Sequence, residues 1–211
     1  MFRTFAVGVC AVVSLPAQAA LIDLTPGSGA GLSGTTAAAD PELAGAVAVG
    51  GDLLIPFQIL GAGDALLYEA ALQTRVIISS DTGNAHFLYR VRDVNGSLNG
   101  VIAEIVTSDY TGMQTRVEYR LDTGADLGPS RAERSADGAD ISYLFGNGFP
   151  PGDESHFFFA ATDQSNWSLT GSTTIILTTG ESVTLTTFIP APGTAALFSV
   201  AGVALARRRR R

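Results

Sequence analysis

From Leu53 onward, apolar and polar residues alternate with period two and are interrupted by turn residues, the pattern of half-buried β-strands. Phe87, Tyr89 and Val91 fall on one side of such a strand, and His86, Leu88, Arg90 and Arg92 on the other. Val117, Tyr119 and Leu121 repeat the rule against Arg116, Glu118, Arg120 and Asp122. The pattern predicts further strands at about 53–60, 65–79, 98–107, 139–145, 155–161, 172–178 and 182–188. Between them lie Asp-Thr-Gly-Asn, Asn-Gly-Ser and Asn-Gly-Phe-Pro-Pro-Gly turns. No amphipathic helix interrupts them, and no internal repeat points to a propeller or solenoid. Eight or nine short strands at this spacing predict an all-β fold: a single antiparallel β-sandwich or jelly-roll-like domain over 52–188.

Upstream, residues 20–51 are rich in Gly, Ala, Ser and Thr and read as loop, apart from a possible first strand at Leu21–Leu24. Gly29, Gly31 and Gly34 match the spacing of a dinucleotide-binding loop. That function needs a strand before the glycines, a helix after them and a βαβ unit, so a plain loop is favoured.

The two ends do not belong to this pattern. Residues 1–19 read as a secretory signal peptide, with Arg3, an apolar run from Phe5 to Leu15 and a small-residue cleavage site at Ala17-Gln18-Ala19. Cleavage after Ala19 removes Cys10, the chain's single cysteine, so the mature protein is expected to hold no thiol nucleophile, disulfide or iron–sulfur site. At the other end, Phe188–Ala206 carries no charge over nineteen residues. At about 1.5 Å rise per residue this nearly covers a hydrocarbon core of about 30 Å. Arg207, Arg208, Arg209, Arg210 and Arg211 follow as a stop-transfer cluster, which places the tail end in the cytoplasm and everything upstream outside the inner membrane.

Ile189-Pro190-Ala191-Pro192-Gly193, the apolar segment 194–206 and the arginine tail 207–211 together resemble the PEP-CTERM sorting signal of Gram-negative bacteria and related lineages. Ala191 stands where that family usually has Glu, a Pro-Ala-Pro variant of the motif. The resemblance covers residues 189–211. It implies an inner-membrane-anchored precursor, cut near the motif by an exosortase-like enzyme after signal peptidase has acted, and then passed to the cell surface or medium. The middle of the chain also resembles ectodomains that carry this tail, through Leu72-Gln73-Thr74-Arg75-Val76, Phe87-Leu88-Tyr89-Arg90-Val91, Tyr119-Arg120-Leu121-Asp122 and Gly148-Phe149-Pro150-Pro151-Gly152 before Phe157-Phe158-Phe159. This second resemblance implies an exported all-β domain and carries over no catalytic residue.

Removing both ends changes the charge. Of the 211 residues, all thirteen basic ones are arginine, and only seven of these lie between the termini, against all twenty acidic residues. The domain therefore carries a formal charge of −13, which repels phosphate backbones and argues against nucleic-acid binding. The absence of lysine excludes Schiff-base and lysine general-base chemistry on this chain.

Candidate chemistry is sparse. A zinc site would need His86, His156 and a carboxylate from separate strands, and both histidines read as ordinary surface residues. Asp93, Asn95, Ser97, Asn99 and Glu104 occupy positions one, three, five, seven and twelve of a calcium-loop spacing. Leu98 stands where such a loop has Gly, and flanking strands replace its helices, so an Asn-Gly hairpin is favoured; calcium remains the expected ion if any binds. Asp122, Asp126, Asp137, Asp140, Asp153 and Glu154 could supply a glycosidase carboxylate pair but read as solvated loop charge. Trp167, with Asn166, Tyr143 and Phe157 to Phe159 nearby, could stack on a sugar ring, although a lone Trp in a β domain is more often core. No Gly-x-Ser-x-Gly elbow is present. The expectation is an exported, surface-sorted envelope or extracellular-matrix protein without catalysis or resident cofactor, with extracellular polysaccharide as a possible partner. The alternative is a carbohydrate-binding module or carbohydrate-active enzyme.

Overall fold

The structure is a computed structural model that describes residues 20–191, except Val94 and the side chain of Asp93. The expected signal peptide, the apolar segment 194–206, the arginine tail, and Pro192 and Gly193 of the expected sorting motif lie outside the described residues. Within them run strands β1 (Ile22–Asp23), β2 (Gly29–Gly31), β3 (Gly45–Leu60), β4 (Leu66–Ser79), β5 (Ala85–Asp93) and β6 (Ile102–Thr107). They continue as β7 (Thr115–Tyr119), β8 (Arg131–Arg134), β9 (Ile141–Phe149), β10 (Phe158–Thr162), β11 (Trp167–Leu177) and β12 (Ser182–Pro190). Short 3-10 turns at Pro41–Leu43, Ala62–Asp64 and Leu121–Thr123 are the helical pieces among the described residues.

These strands form two six-stranded sheets, ordered β1-β7-β10-β5-β4-β3 and β12-β11-β6-β9-β8-β2, in which neighbouring strands pair antiparallel. Seven of the eleven connections pass from one sheet to the other, so the sheets cannot separate as independent units. Their facing sides build one core. Phe57, Leu72, Phe87, Tyr89 and Phe158 of the first sheet meet Ile105, Tyr143, Phe149, Ile175 and Phe188 of the second in a sandwich-like arrangement. Tyr143 and Phe158 have ring centroids 4.7 Å apart, and Phe158 also stacks on Tyr89 at 5.9 Å. The Tyr89 hydroxyl lies 3.0 Å from that of Tyr110 and donates to the Phe188 carbonyl at 3.0 Å, a buried polar link between the sheets.

Alternation locates the inward side of β5 and the existence of most strands, but four expectations change. The first strand expected at Leu21–Leu24 is present as β1, but the rest of 20–51 is not simply loop: it contains β2, the first 3-10 turn and the first seven residues of β3, which runs without a break across residue 52. Very short strands need only two or three backbone pairings to an existing edge, which leaves little pattern in the sequence. β8, of sequence Arg-Ala-Glu-Arg, was not expected as a strand, because its buried positions are Ala132 and a charged residue, Arg134. The strand expected from 98 begins at Ile102, and β9 continues to Phe149 through a register shift, with Gly148 at φ +77°. β11 and β12 extend to Trp167 and Pro190, so Ile189 and Pro190 of the expected sorting motif sit inside an edge strand, opposite Ser168 and Trp167. Close approach is compulsory there: a Cβ on Gly171 would fall 1.8 Å from Ile189.

Candidate functional site: the covered outer face of the first sheet

The chain between β2 and β3 lies as a strap across the outer face of β7, β10 and β5. It is held by carboxylates and backbone rather than by a partner strand. Glu118 of β7, on the side expected to be polar and exposed, is fully buried. Its carboxylate accepts the N–H groups of Gly34 at 2.9 Å, Ser33 at 3.3 Å and Tyr119 at 3.1 Å. Gly34 has φ +84°, a left-handed conformation that glycine adopts without strain. Thr35 then bridges Arg120: its N–H reaches the Tyr119 carbonyl at 2.8 Å and its carbonyl takes the Leu121 N–H at 2.9 Å. Asp122 accepts the Ala37 N–H at 3.3 Å, and Arg120 donates to the Leu43 carbonyl at 3.3 Å. Asp40 caps the 3-10 turn by accepting the Glu42 N–H at 3.1 Å, with Pro41 at its first position.

The turn delivers two side chains to the sheet. Leu43 joins Ile77, Leu88, Phe157, Phe159 and Ala161 in a second apolar cluster, separate from the main core. Glu42 forms an ion pair with Arg116 and lies 3.5 Å from Nε2 of His86. His86 is therefore not the surface residue expected: only 1% of it is exposed, and Nε2 finds no hydrogen-bond partner among the described residues. Burial pushes the His86 pKa below its ordinary value against the pull of Glu42. For Glu42, burial pushes the pKa up, but the bond to Arg116 and the charges of Arg116 and His86 outweigh it and hold it below the usual range. Glu118 shows the opposite balance, burial outweighing its three N–H bonds and raising its pKa.

Arginines continue along this face. Arg75 meets Asp52 at 2.6 Å, Arg90 and Arg92 share Glu154, and Arg120 holds Asp122 at 2.7 Å. The guanidinium groups of Arg75 and Arg90 both lie over the Phe157 ring, 5.0 and 5.5 Å from its centroid. On the second sheet Arg131 pairs with Glu133. Arg134 instead donates to the carbonyls of Leu24, Tyr110, Met113 and Gly138 and to the Thr115 hydroxyl, at 2.8–3.1 Å. It forms one wall of a cavity of about 350 Å3 between Asp23, Leu24 and Met113. Every arginine among the described residues is thus engaged internally, which leaves most of the carboxylates as the domain's outward charge.

The other expected residues are dispersed. His156 is half-buried, stacked on Tyr119 at 5.5 Å, in a setting unrelated to that of His86. Of the loop carboxylates, Asp122 and Glu154 hold arginines, Asp126 accepts the Glu154 N–H at 2.8 Å, and Asp137 closes its own turn through Ser135 at 2.6 Å. In the calcium-like spacing, the Asn95 carbonyl oxygen takes the Ser97 hydroxyl at 2.6 Å, Asn99 is exposed, and Glu104 lies in β6 opposite Leu144 and Ile176. No group of three or more metal-ligating side chains occurs among the described residues. Gly29 and Gly31 are in β2, paired with β8, and the Gly34 N–H that a phosphate would need is taken by Glu118. Trp167 packs edge-on against Phe188 at 5.1 Å.

Comparison with protein-family models, curated proteins and solved structures finds no match to this chain. No helix among the described residues is long and apolar enough to cross a membrane, and the expected spanning segment lies outside them.

Proposed function

We propose that this chain is an exported, surface-sorted structural component of a bacterial envelope or extracellular matrix, with a β-sandwich ectodomain of jelly-roll type and no catalytic role. The observation that carries the reading is the order of the terminal signals around the domain: a cleavable apolar leader, then the Pro-Ala-Pro motif, apolar segment and arginine cluster. The domain's chemistry is consistent with it, since its arginines are internally paired and its acidic residues dominate the outward charge. A sugar-stacking platform needs exposed rings, and among the described residues every aromatic side chain is buried or half-buried, Trp167 included.

The place where the chain leaves the sheet sharpens the test. Pro190 is buried in β12 and the Ala191 N–H is held by the Asn166 carbonyl at 3.0 Å, so a cut after Ala191 leaves the edge strand whole. Intact mass of the protein recovered from the cell surface and medium of its native host decides the matter. Loss of residues 1–19 together with a C-terminal end at or shortly after Ala191 supports processing and release. A full-length tail retained in the inner membrane would mean a plain anchor, and the sorting reading would fall.

A further inference from the structure

The chain reaches the domain beside the strap. Leu21 packs on the second apolar cluster, and its N–H reaches Oδ2 of Asp40 at 3.5 Å, while Oδ1 of the same carboxylate caps the 3-10 turn. Ala20 before it is exposed. Backbone geometry keeps the nitrogens of adjacent residues within about 3.7 Å, so that of Ala20 lies within about 7 Å of the Asp40 carboxylate.

The charges at this corner do not balance. Asp40 and Glu42 of the strap and Asp23 of β1 act on one arginine, Arg116 of β7, which is in register with Asp23 and bonded to Glu42. That bond holds the Arg116 pKa above its ordinary value against burial, and the charges of Glu42, Asp40 and Asp23 reinforce it. His86 of β5 adds no charge at pH 7, because burial lowers its pKa, and β10 contributes Ala161. Arg120, further along the strap, is taken by Asp122. Three carboxylates thus share a single cation.

We propose that removal of the leader supplies the missing cation: the α-ammonium of Ala20 pairs with Asp40 and completes the strap's hold on the first sheet. The inference rests on cleavage after Ala19. Before the cut the Ala20 nitrogen is a neutral amide. Hydrolysis of the Ala19–Ala20 bond consumes one water, leaves a carboxylate on Ala19, and frees an amine that is protonated below its ordinary pKa of about 7.7–8.0. Carboxylates beside an ammonium raise its folded pKa, so the contribution is complete below the ordinary value and is lost as pH rises through the folded one. The strap of the precursor lacks this tie, which couples its final closure to export.

The sequence offers a clean test, since without lysine the α-amine is the mature chain's single primary amine. Protein recovered from the surface and medium of the native host is first weighed. A mature N-terminus other than Ala20 overturns the cleavage reading and the pairing with it. With Ala20 at the end, reductive 13C-methylation puts one NMR reporter on that nitrogen. Its titration midpoint is expected roughly half a pH unit higher in the folded protein than in concentrated urea. Asp40→Asn, which keeps the helix-capping oxygen, should abolish the difference, and Glu181→Gln, in the β11–β12 turn of the other sheet, should preserve it. Acetylating the same nitrogen of the unsubstituted protein should speed hydrogen exchange of amides 37–44 about two- to fivefold at pH 7, with β4 and β5 unchanged. Equal midpoints in folded and unfolded protein, a difference that survives Asp40→Asn, or strap amides indifferent to acetylation would overturn the pairing and leave the cleavage standing.

Discussion

Around His86 and Leu88 of β5 the first sheet is covered on both faces, yet by different means. On the inner face Phe87, Tyr89 and Val91 of β5 are wholly inaccessible because a second sheet covers them with aromatic and aliphatic side chains. On the outer face His86 and Leu88 of the same strand are 1% and 3% exposed, under a single layer of chain tied down by Glu118, Asp122 and the Glu42–Arg116 pair. Dispersion and the hydrophobic effect hold the first cover, and they act over the whole contact. The second combines the small apolar cluster around Leu43 with a handful of charge-assisted bonds. Such a cover is expected to open locally without the sheets parting.

The largest difference should appear when one large apolar side chain is removed from each cover. Phe158 lies within ring-contact distance of Tyr89, Tyr143 and Phe145, at 5.9, 4.7 and 6.1 Å. Phe158→Ala is expected to destabilise the domain by about 3–5 kcal/mol, measured as a shift in urea midpoint. A loss below about 1.5 kcal/mol would show that the sheets are loosely packed and that the contrast between the faces is overdrawn. Leu43→Ala, under the strap, should cost about 2 kcal/mol, because a single layer relaxes into the space more readily. Its distinguishing mark is hydrogen exchange: amides of 33–44 should speed up while those of β4 and β5 keep their protection. Equal acceleration in β5 would mean that strap and sheet unfold as one unit.

How far the sequence could reveal this follows from the same contrast. Period-two alternation depends only on local order, so it finds the inner side of β5 and that of β7 at Val117, although Leu121, placed on the same side, lies exposed in the following 3-10 turn. It says which side of a strand faces the core, and nothing about what covers the other side. Glu118 reads as exposed because its partners, Ser33 and Gly34, come from some 85 residues earlier in the chain. Arg134 hides β8 in the same way: its partners are carbonyls at 24, 110, 113 and 138, and no local pattern records them. The strap's one legible signal is Asp40-Pro41-Glu42, a cap followed by proline, embedded in a segment whose composition otherwise reads as loop. The calcium-like spacing fared differently. It is a true spacing, but Glu104 enters the middle of the second sheet while Asn95 turns back on Ser97.

Acidification should separate the two covers more gently. The unfolded chain protonates His86 at about its ordinary value of 6.5, whereas burial lowers the folded value, so stability falls as pH drops below that point. His156, also lowered by burial, adds to the same trend. Below 4.5 the depressed Glu42 repeats the effect, its ion-pair contribution being lost as pH falls through the folded value. Glu118, raised in the fold, works in the opposite sense, since the folded state takes up that proton first. From pH 7.5 towards 5, therefore, the histidines should lower stability, and His86→Gln should flatten that decline to what His156 contributes less the opposing effect of Glu118. An unchanged slope in that variant would remove His86 from the account.

The smallest effect is the sharpest control on whether ion pairs matter through their cover or simply by existing. Arg131–Glu133 and Arg116–Glu42 are both arginine–carboxylate pairs, but the side chains of the first are 52% and 48% exposed, whereas Glu42 of the second is only 9% exposed. In water the two charges of an exposed pair are screened, and holding two long side chains in one geometry costs entropy, so Arg131→Ala should change stability by no more than about 0.5 kcal/mol. Arg116→Ala makes the same chemical change but leaves a buried carboxylate without its cation, beside a neutral imidazole. A cost of about 1–3 kcal/mol is expected. The two variants should also differ in salt: raising ionic strength should erase the remaining effect at 131 and leave most of that at 116. Equal costs would mean that the strap does not exclude water from Glu42, and that the outer face is covered in outline only.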